Sequence, residues 1–250
     1  MRRALGWYWS VARLALGGRR FLREWQAGDG REAAAARFVL AHSPRGDLDA
    51  AIAALDEFGG RRQLLVNVGD EKGAILERVV SRAAPRLALE LGAYVGSSAL
   101  RIARALPPGG RLVSVELVAA NAEIARTIAA HAGVADRVTF VVGALGDGTT
   151  RTALRELHGL SAGAVDFVFL DHAKDQYLPD LQRILDDGWL HPGSVVLADN
   201  IRFPGAPRYR RYMAAAEGGR WRVRRHRAHA EYQSLIRDEM LESTLLAGPT

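Results

Sequence analysis

Residues 89–98 have the sequence LELGAYVGSS, in which a short apolar strand leads through a glycine-containing turn into a helix. The same alternation continues along the chain, with strands predicted at 86–91, 112–115, 138–142, 165–170 and 194–198, and helices at 98–106, 118–132, 150–158 and 177–186. Apolar strands separated by amphipathic helices are typical of a parallel sheet covered on both faces. The sequence therefore predicts a single α/β domain over residues 31–250, built on a doubly wound, Rossmann-like sheet.

Two flanking regions extend this core. Three helices are predicted before the first strand, at 31–42, 48–58 and 71–83, and Gly59-Gly60 is predicted to end the second of them. These helices would cover one face of the sheet or the mouth of its site. Residues 221–247 contain two further strand-like segments, which we expect to add antiparallel edge strands.

Composition narrows the functional classes. Hydrophobic residues make up 48% of the 250 residues and charged residues 25%, as in ordinary soluble globular proteins. The chain has no cysteine, which excludes disulfides, thiolate zinc sites, iron–sulfur clusters and cysteine nucleophiles. Only two of the 34 basic residues are lysines, Lys72 and Lys174. A lysine is therefore an unusual choice in this chain, and both positions need an explanation.

The positive charge is concentrated in two segments. The net charge of +6 at first indicates an acidic partner such as nucleic acid. However, residues 1–23 carry six arginines and no acid, and residues 202–227 carry nine arginines and only Glu217. The remainder of the chain therefore has a net charge of −8. An acidic body makes nucleic acid a less favoured partner than the total charge implies.

Residues 1–30 form a basic, aromatic extension outside the predicted domain. The apolar run 4–16 is interrupted by Arg13 and is shorter than the roughly 20 residues that a membrane span needs. It lacks the uninterrupted apolar core and the cleavage site of a secretory signal, so we expect a cytoplasmic protein. Two roles stay open for residues 1–25: a helix packed on the domain, or an interfacial helix that contacts an anionic membrane.

Acidic residues near the ends of the first two strands indicate a cofactor site, because ligands of such sheets bind at the carboxyl ends of the strands. Glu116 ends the second strand, where a carboxylate can accept both hydroxyls of a ribose. The turn from Gly92 to Gly96 lacks the G-x-G-x-x-G spacing of a diphosphate binder, and Glu90 would repel a diphosphate. A cationic, ribose-bearing ligand without phosphates describes S-adenosylmethionine better than NAD.

Oxygen ligands follow the fourth and fifth strands. Asp171 ends one strand, and Asp199 and Asn200 end the next. Each aspartate alone could be a salt-bridged or capping residue, but together they form the all-oxygen set that Mg²⁺ prefers. Lys174 lies three residues after Asp171, where a dication would disfavour its ammonium form and make it a usable general base. Arginine cannot give up its proton, so a rare lysine here is informative.

Several segments, in order, resemble the magnesium-dependent catechol O-methyltransferases over roughly residues 35–248. The matching segments are 66–73, 89–99, 141–144, 169–179, 197–200 and 204–207. The resemblance implies a class I methyltransferase fold, with a seven-stranded, mostly parallel sheet whose last strand is antiparallel and which has helices on both faces. It also implies methyl transfer from S-adenosylmethionine to one hydroxyl of a catechol-type small molecule that is chelated to Mg²⁺.

The resemblance further implies roles for individual residues. The cofactor-binding residues would be Val68, Glu90, Gly92, Tyr94, Ser98, Glu116, Leu117, Ala144, Leu145, Asp171 and His172. The Mg²⁺ ligands would be Asp171, Asp199 and Asn200, with Lys174 as the catalytic base. The substrate would contact Leu64, Asn67, Ala173, Lys174, Asn200, Pro204 and Arg237. Lys72 matches a family lysine beside the entrance segment.

Departures from the family pattern affect the substrate side. Two tryptophans that wall the aromatic ring are replaced by Leu64 and Ala173, and a methionine beside the entrance is replaced by Val66. A family glutamate that binds the second hydroxyl maps to Arg237. Asp238 is adjacent, but a shift of one residue along a strand turns a side chain to the other face. We therefore expect a wider, less aromatic and less acidic pocket, suited to a bulkier catechol or to one with a carboxylate.

Three other functions are compatible with parts of the sequence. An NAD-dependent oxidoreductase shares the acid after the second strand, but lacks the diphosphate spacing. A nucleic-acid methyltransferase would use the arginines of 202–227 to neutralise phosphates, although no aromatic-rich basic module accompanies them. A non-catalytic binding protein on this fold would not need Lys174 together with the three oxygen ligands.

Overall fold

The computed structural model describes residues 29–230, 232 and 235–246. The strands are β1 Leu87–Leu91, β2 Arg111–Glu116, β3 Val138–Val142, β4 Val165–Leu170, β5 Leu190–Ala198, β6 Trp221–His229 and β7 Arg237–Leu245. The α-helices are α1 Arg31–His42, α2 Leu48–Arg61, α3 Gly69–Ala83, α4 Ser97–Ala105, α5 Ala119–His131, α6 Thr149–His158, α7 Tyr177–Asp186 and α8 Pro207–Ala216. Two shorter turns are helical as well, Leu145–Asp147 and Ile201–Gly205.

Within the described residues the strands form one sheet in the order β3-β2-β1-β4-β5-β7-β6. The first five strands are parallel, β7 runs antiparallel to β5, and β6 runs antiparallel to β7. This confirms the predicted seven-stranded, mostly parallel sheet with an antiparallel last strand. Of the two tail strands only β6 lies at an edge, because β7 pairs on both sides.

Helices cover both faces of the sheet, as the apolar strands predict. Ala88 and Phe167 belong to one core, together with buried residues of α1 to α5. Their neighbours Leu89 and Val168 belong to a second core, together with buried residues of α6, α7 and α8. Alternate strand residues point to opposite faces, so a strand that is apolar throughout can contribute to two cores. The three N-terminal helices lie on the first face.

The prediction that Gly59-Gly60 ends the second helix is wrong. Helix α2 continues through both glycines to Arg61. A Cβ added to Gly59 would lie 2.6 Å from the ring of Tyr232, and one added to Gly60 would lie 3.3 Å from it. The Tyr232 hydroxyl donates to Asp56 Oδ1 of the same helix at 3.2 Å. The glycines therefore admit an aromatic ring from the β6–β7 connection rather than terminate the helix.

The arginine-rich segment 202–227 forms α8 and most of the edge strand β6. Its exposed side chains include Arg222, Arg224 and Arg227 on β6. Charged side chains on an edge strand disfavour pairing with a second sheet, which gives these arginines a role without any ligand. The predicted N-terminal extension lies almost wholly outside the described residues, so its role stays a prediction. In the part of the chain that is described, no helix is both long and apolar enough to cross a membrane.

The sheet register brings the predicted site residues to one edge. Leu91 pairs with Val115 on one side and with Leu170 on the other, and Leu170 pairs with Ala198. The residues that follow these positions are Gly92, Glu116, Asp171 and Asp199. Hydrogen bonds continue the ladder past the strand ends, from Asp171 N to Leu91 O at 2.9 Å and from Asp199 N to Leu170 O at 3.0 Å.

Candidate active site

The turn after β1 brings the backbone close to the end of β4. Gly92 has φ +96°, and a Cβ there would lie 2.7 Å from the carbonyl oxygen of Asp171. Only glycine fits this position, because both the conformation and the close approach exclude a side chain. Tyr94 follows with φ +48°, and its hydroxyl donates to Glu32 Oε1 of α1 at 2.8 Å. Helix α1 is thereby attached to the predicted cofactor turn.

Glu90 is fully buried on β1, with the Ser114 hydroxyl as a hydrogen-bond donor. Burial raises the pKa of Glu90 to about 7, and hydrogen bonds from Ser114 and Ser98 only partly oppose this. Ser98 lies in the first turn of α4, so the carboxyl group faces the start of that helix. A carboxyl with this pKa can ionise when a cation arrives and lie protonated when none is present.

Glu116 lies at the end of β2, where backbone amides hold it. Its Oε2 accepts from the amides of Ala93 and Tyr94 at 3.1 and 2.8 Å, and its Oε1 accepts from Val118 at 2.9 Å. Burial raises the pKa of Glu116, and the three backbone hydrogen bonds oppose the shift. The carboxylate therefore connects the first two strand ends in a fixed orientation.

The residues predicted beside the adenine lie after β2, β3 and β4. Leu117 is 58% exposed, whereas Leu145 is buried at the start of the short turn after Ala144. His172 Nε2 contacts Asp180 Oδ2 of α7 at 2.9 Å, which fixes the ring. His172 Nδ1 is buried and has no hydrogen-bond partner within the described residues. A fixed ring with one open nitrogen is suited to a polar heterocycle.

Lys174 lies in the loop between β4 and α7, at the predicted reacting end. Its Nζ contacts Asp171 Oδ1 at 2.9 Å and the Tyr177 hydroxyl at 2.7 Å. Tyr177 in turn donates to the backbone oxygen of Asp199 at 3.2 Å. Burial raises the pKa of Tyr177 well above its usual value, and the charges of Asp171, Asp199 and Asp238 raise it further. The Tyr177 hydroxyl therefore links Lys174 to the backbone of Asp199.

Asp199 and Asn200 follow β5, and both are buried. Asp199 Oδ2 contacts Lys72 Nζ at 2.8 Å. Asn200 adopts φ +53°, a conformation that asparagine tolerates better than most residues, and its Nδ2 donates to Asp238 Oδ2 at 3.1 Å. Lys72 also contacts Asp238 Oδ2, at 3.3 Å. The structure thus places Lys72 and Asp238 directly behind the predicted Mg²⁺ ligands.

The donor chemistry fits a hard dication. In the described ranges no three His, Asp or Glu side chains form a ready metal site. The predicted set comprises two carboxylates and one amide. All its side-chain donors are oxygens, which Mg²⁺ prefers, and Mg²⁺ commonly keeps waters or substrate in its remaining positions. Asp171, Asp199 and Asn200 are therefore the residues that would hold it.

The predicted substrate residues are only partly brought together. Ala173 lies between His172 and Lys174, and the exposed Pro204 belongs to the turn after Asn200. Asn67 is buried beside the Tyr232 hydroxyl, and Leu64 accepts a hydrogen bond from Arg31 through its backbone oxygen, at 2.6 Å.

Arg237 is not brought to this cluster. It is exposed at the start of β7, opposite His229, whereas the next residue, Asp238, is buried against Asn200. Alternation along the strand explains the difference.

A cleft of 750 Å³ adjoins the site through Val68 and Lys72, between α2, α3 and the end of β6. Its charged lining residues include four acids, Asp56, Glu57, Asp70 and Glu71. Arg61 and His229 also line it, and His229 is paired with Glu71 at 3.0 Å. Asp56 and Glu57 are also paired, with Arg101 and Arg62, so most of the acidic charge of the cleft is balanced by neighbouring cations.

Sequence reasoning did not assign three contacts that shape the site. The first is the Asp238–Asn200 pair, for which the adjacency of Asp238 to Arg237 was the only clue. The second is the role of Tyr177 between Lys174 and Asp199. The third is the Glu32–Tyr94 hydrogen bond. Each joins residues from separate elements, so no local pattern marks it.

Comparisons with known proteins agree with this geometry. A model of the O-methyltransferase family matches residues 47–209. A protein of Mycobacterium tuberculosis named "Probable O-methyltransferase" is 56% identical over 234 residues, which cover 93% of this chain and all of the relative. Catechol O-methyltransferase B of Danio rerio is 42% identical over 210 residues, 84% of this chain and 76% of the relative.

A solved structure shows the same fold. The O-methyltransferase TomG of Streptomyces achromogenes has a TM-score of 0.63 at 23% identity, covering 99% of this chain and all of that chain. None of these matches supports an oxidoreductase or a nucleic-acid methyltransferase. The chain belongs to the O-methyltransferase family and is related to the catechol O-methyltransferases.

Proposed function

We propose that this protein transfers the methyl group of S-adenosylmethionine to one hydroxyl of a catechol-type small molecule, with Mg²⁺ as cofactor and Lys174 as general base. One observation carries the proposal. Lys174 Nζ lies 2.9 Å from Asp171 Oδ1 and 2.7 Å from the Tyr177 hydroxyl, which in turn contacts the backbone of Asp199. The base and the oxygen ligands therefore share one site. Relatives named catechol O-methyltransferase support the substrate class.

The cofactor side fits a cationic ligand that carries a ribose. Glu90 offers a buried carboxyl whose pKa of about 7 lets it ionise beside a positive charge. Glu116 places a carboxylate at the end of β2, where a ribose would lie. Gly92 leaves the approach to Asp171 free of side chains. Val68, Ser98 and Tyr94 would line the methionine portion, and Leu117, Ala144, Leu145 and His172 the adenine.

Catalysis needs an acceptor for the substrate proton, and Lys174 is the residue that we propose for this role. S-adenosylmethionine supplies an electrophilic methyl group, and Mg²⁺ held by Asp171, Asp199 and Asn200 supplies a positive charge that favours an ionised hydroxyl. In its neutral form, Lys174 takes the proton from one substrate hydroxyl. Bound S-adenosylmethionine would supply the methyl group that this oxygen takes up as a methyl ether, leaving S-adenosylhomocysteine and a protonated Lys174.

The substrate would lie on the outer side of Lys174. Ala173, Pro204 and Leu64 would line its ring, with Asn67 as a buried polar neighbour. Small side chains at these positions leave room for a bulky ring substituent. The adjoining cleft offers both acids and cations to a ring substituent, with Arg61, Lys72 and His229 beside the four acids.

The test is a methyl-transfer assay with labelled S-adenosylmethionine, Mg²⁺ and a panel of neutral, cationic and carboxylate-bearing catechols. Lys174→Met should lower turnover by roughly 10²–10⁴-fold, the usual contribution of a general base. Lys174→Arg keeps the positive charge and the contact with Asp171 but cannot accept a proton, so it should lose as much.

Binding of S-adenosylhomocysteine to both variants should match that of the wild type, because Lys174 does not line the proposed cofactor site. Turnover by Lys174→Arg within a few-fold of wild type would refute the assignment of the base. Activity that persists after removal of divalent cations would refute the role of Mg²⁺.

A further inference from the structure

We propose that Asp238 is a positioning residue that fixes the amide of Asn200, so that the Asn200 oxygen rather than its nitrogen is presented to a divalent cation. This inference rests on the proposed function, because it explains how one of the proposed Mg²⁺ ligands is oriented. Asp238 lies on β7 and belongs to none of the six short matching segments. Its side chain is 2% exposed.

Four donors occupy the Asp238 carboxylate. Its Oδ1 accepts from the backbone amides of Arg202 and Phe203, each at 3.1 Å. Its Oδ2 accepts from Lys72 Nζ at 3.3 Å and from Asn200 Nδ2 at 3.1 Å. An ionised carboxylate has about four acceptor positions, so this one has none left for a metal or a substrate. Asp238 is therefore a support for the site and not one of its ligands.

The chemistry of this contact determines which way the amide of Asn200 points. A carboxylate only accepts hydrogen bonds, so the Asn200 atom that faces Asp238 must be the NH₂ group. The amide oxygen then points away from Asp238. Metal cations bind the oxygen of an amide and not its protonated nitrogen. Without an acceptor behind it, the amide could rotate and present a donor to the cation.

Lys72 holds the acceptor in place. Its ammonium group is 1% exposed and lies between Asp199 Oδ2 and Asp238 Oδ2. The Lys72 ammonium group thus contacts both Asp199, which is a proposed metal ligand, and Asp238, which orients the proposed ligand Asn200. Lys72 is the second lysine of this arginine-rich chain, and both of its contacts are to buried carboxylates of the site.

The same carboxylate also orders the backbone after Asn200. Asn200 has φ +53°, and the turn Ile201–Gly205 follows it directly. Two amides of this turn point at Asp238 Oδ1. A single residue of β7 therefore fixes both the side chain of Asn200 and the chain that leaves it. Supports of this kind typically change metal affinity by roughly 10–100-fold when they are replaced.

The test is a double-mutant cycle with Asp238→Asn, Asn200→Asp and the pair. An asparagine at position 238 has one oxygen for two pairs of donors, and we expect that oxygen to keep the backbone amides of Arg202 and Phe203. Its NH₂ group would then face the NH₂ of Asn200, so the amide of Asn200 should rotate and present nitrogen to the cation. In the double variant Asp238→Asn/Asn200→Asp, the carboxylate lies at position 200 and the amide at position 238. The carboxylate can accept a hydrogen bond from the amide and still offer its other oxygen to the cation. Glu239→Gln removes the same charge one residue along β7, where the side chain points to the other face, and serves as the control.

Binding is measured with Mn²⁺, an oxygen-preferring dication, from the electron paramagnetic resonance signal of the free ion, with Mg²⁺ as competitor. We expect affinity to fall by about 10-fold or more in Asp238→Asn, to return largely in the pair, and to stay within about 2-fold of wild type in Glu239→Gln. The pair should also bind Mn²⁺ more tightly than Asn200→Asp, in which two carboxylates face each other. That comparison holds even where Asp238→Asn does not fold.

The outcomes separate this inference from the function on which it rests. Wild-type protein that does not bind Mn²⁺ refutes the metal site, and the inference with it. Wild-type binding with an unchanged affinity in Asp238→Asn refutes the positioning role alone. The positioning role is also refuted if the double variant binds Mn²⁺ no more tightly than Asn200→Asp, because the two substitutions would then act independently.

Discussion

Because the carboxyl of Glu90 is buried, we expect the binding of the cofactor to release a number of protons that depends on pH and can be measured. Burial raises the pKa of Glu90 from 4.5 to about 7 in the protein without ligand. About 0.8 of the molecules therefore carry a proton there at pH 6.5, and about 0.1 at pH 8. A sulfonium or ammonium group nearby favours the ionised form, so a cationic cofactor should release that proton as it binds.

The perturbation is Glu90→Gln, which keeps the shape and buried hydrogen-bonding capacity but cannot ionise. Isothermal titration in buffers of different ionisation enthalpy gives the number of protons released when S-adenosylmethionine binds. The difference between wild type and variant should be about 0.8 protons at pH 6.5 and about 0.1 at pH 8. Subtracting the variant removes the contribution of the cofactor's own α-amino group, which titrates in the same range.

A difference that does not change between pH 6.5 and pH 8 would refute the reasoning, because it would mean that Glu90 is already ionised before the cofactor binds. A variant that binds the cofactor as tightly as wild type at pH 8 would refute the proposed contact between Glu90 and a cation. Affinity should instead fall by about 10-fold or more, since a buried charge-assisted contact contributes about 1.5–3 kcal/mol.

The same carboxyl should affect stability without cofactor, with a definite sign. The folded pKa lies above the unfolded one, so the folded state holds the proton more tightly between pH 4.5 and pH 7. The contribution of Glu90 to the free energy of unfolding is therefore complete below pH 4.5 and is lost as the pH rises to 7. The loss is about 3 kcal/mol, and urea unfolding of Glu90→Gln should lack this part of the pH dependence.

Two further predictions concern glycines. Gly60→Ala should stabilise α2 by up to about 1 kcal/mol through helix propensity. Gly59→Ala should lose that gain, because its Cβ would displace the ring of Tyr232. Urea unfolding of the two variants measures the difference, and equal stabilities would contradict the prediction. Gly92→Ala should destabilise by at least about 2 kcal/mol, because φ is +96° and the new Cβ meets the Asp171 carbonyl; a thermal midpoint equal to that of wild type would rule out this packing.

The placement of the site follows from the sequence because local patterns and sheet geometry act together. Apolar strands separated by amphipathic helices predict parallel pairing, and parallel strands end at the same edge. Glu116, Asp171 and Asp199 each come directly at or after a strand, so their proximity needed no tertiary information. The prediction that α2 ends at Gly59-Gly60 was wrong. The glycines are there because the ring of Tyr232, 173 residues after Gly59, packs against them.

Periodicity and residue type at strand ends were sufficient to predict the fold class, the sheet edge proposed for the chemistry and the lysine proposed as base. The side chains that support these residues come from distant parts of the chain. Asp238 and Asn200 are 38 residues apart, and Lys72 is 166 residues from Asp238. Strand β7 inserts between β5 and β6, and its alternation turns Asp238 inward and Arg237 outward. A shift of one residue in the pairing of β7 would exchange those two orientations, and that pairing is made with the preceding strand β6 and with β5.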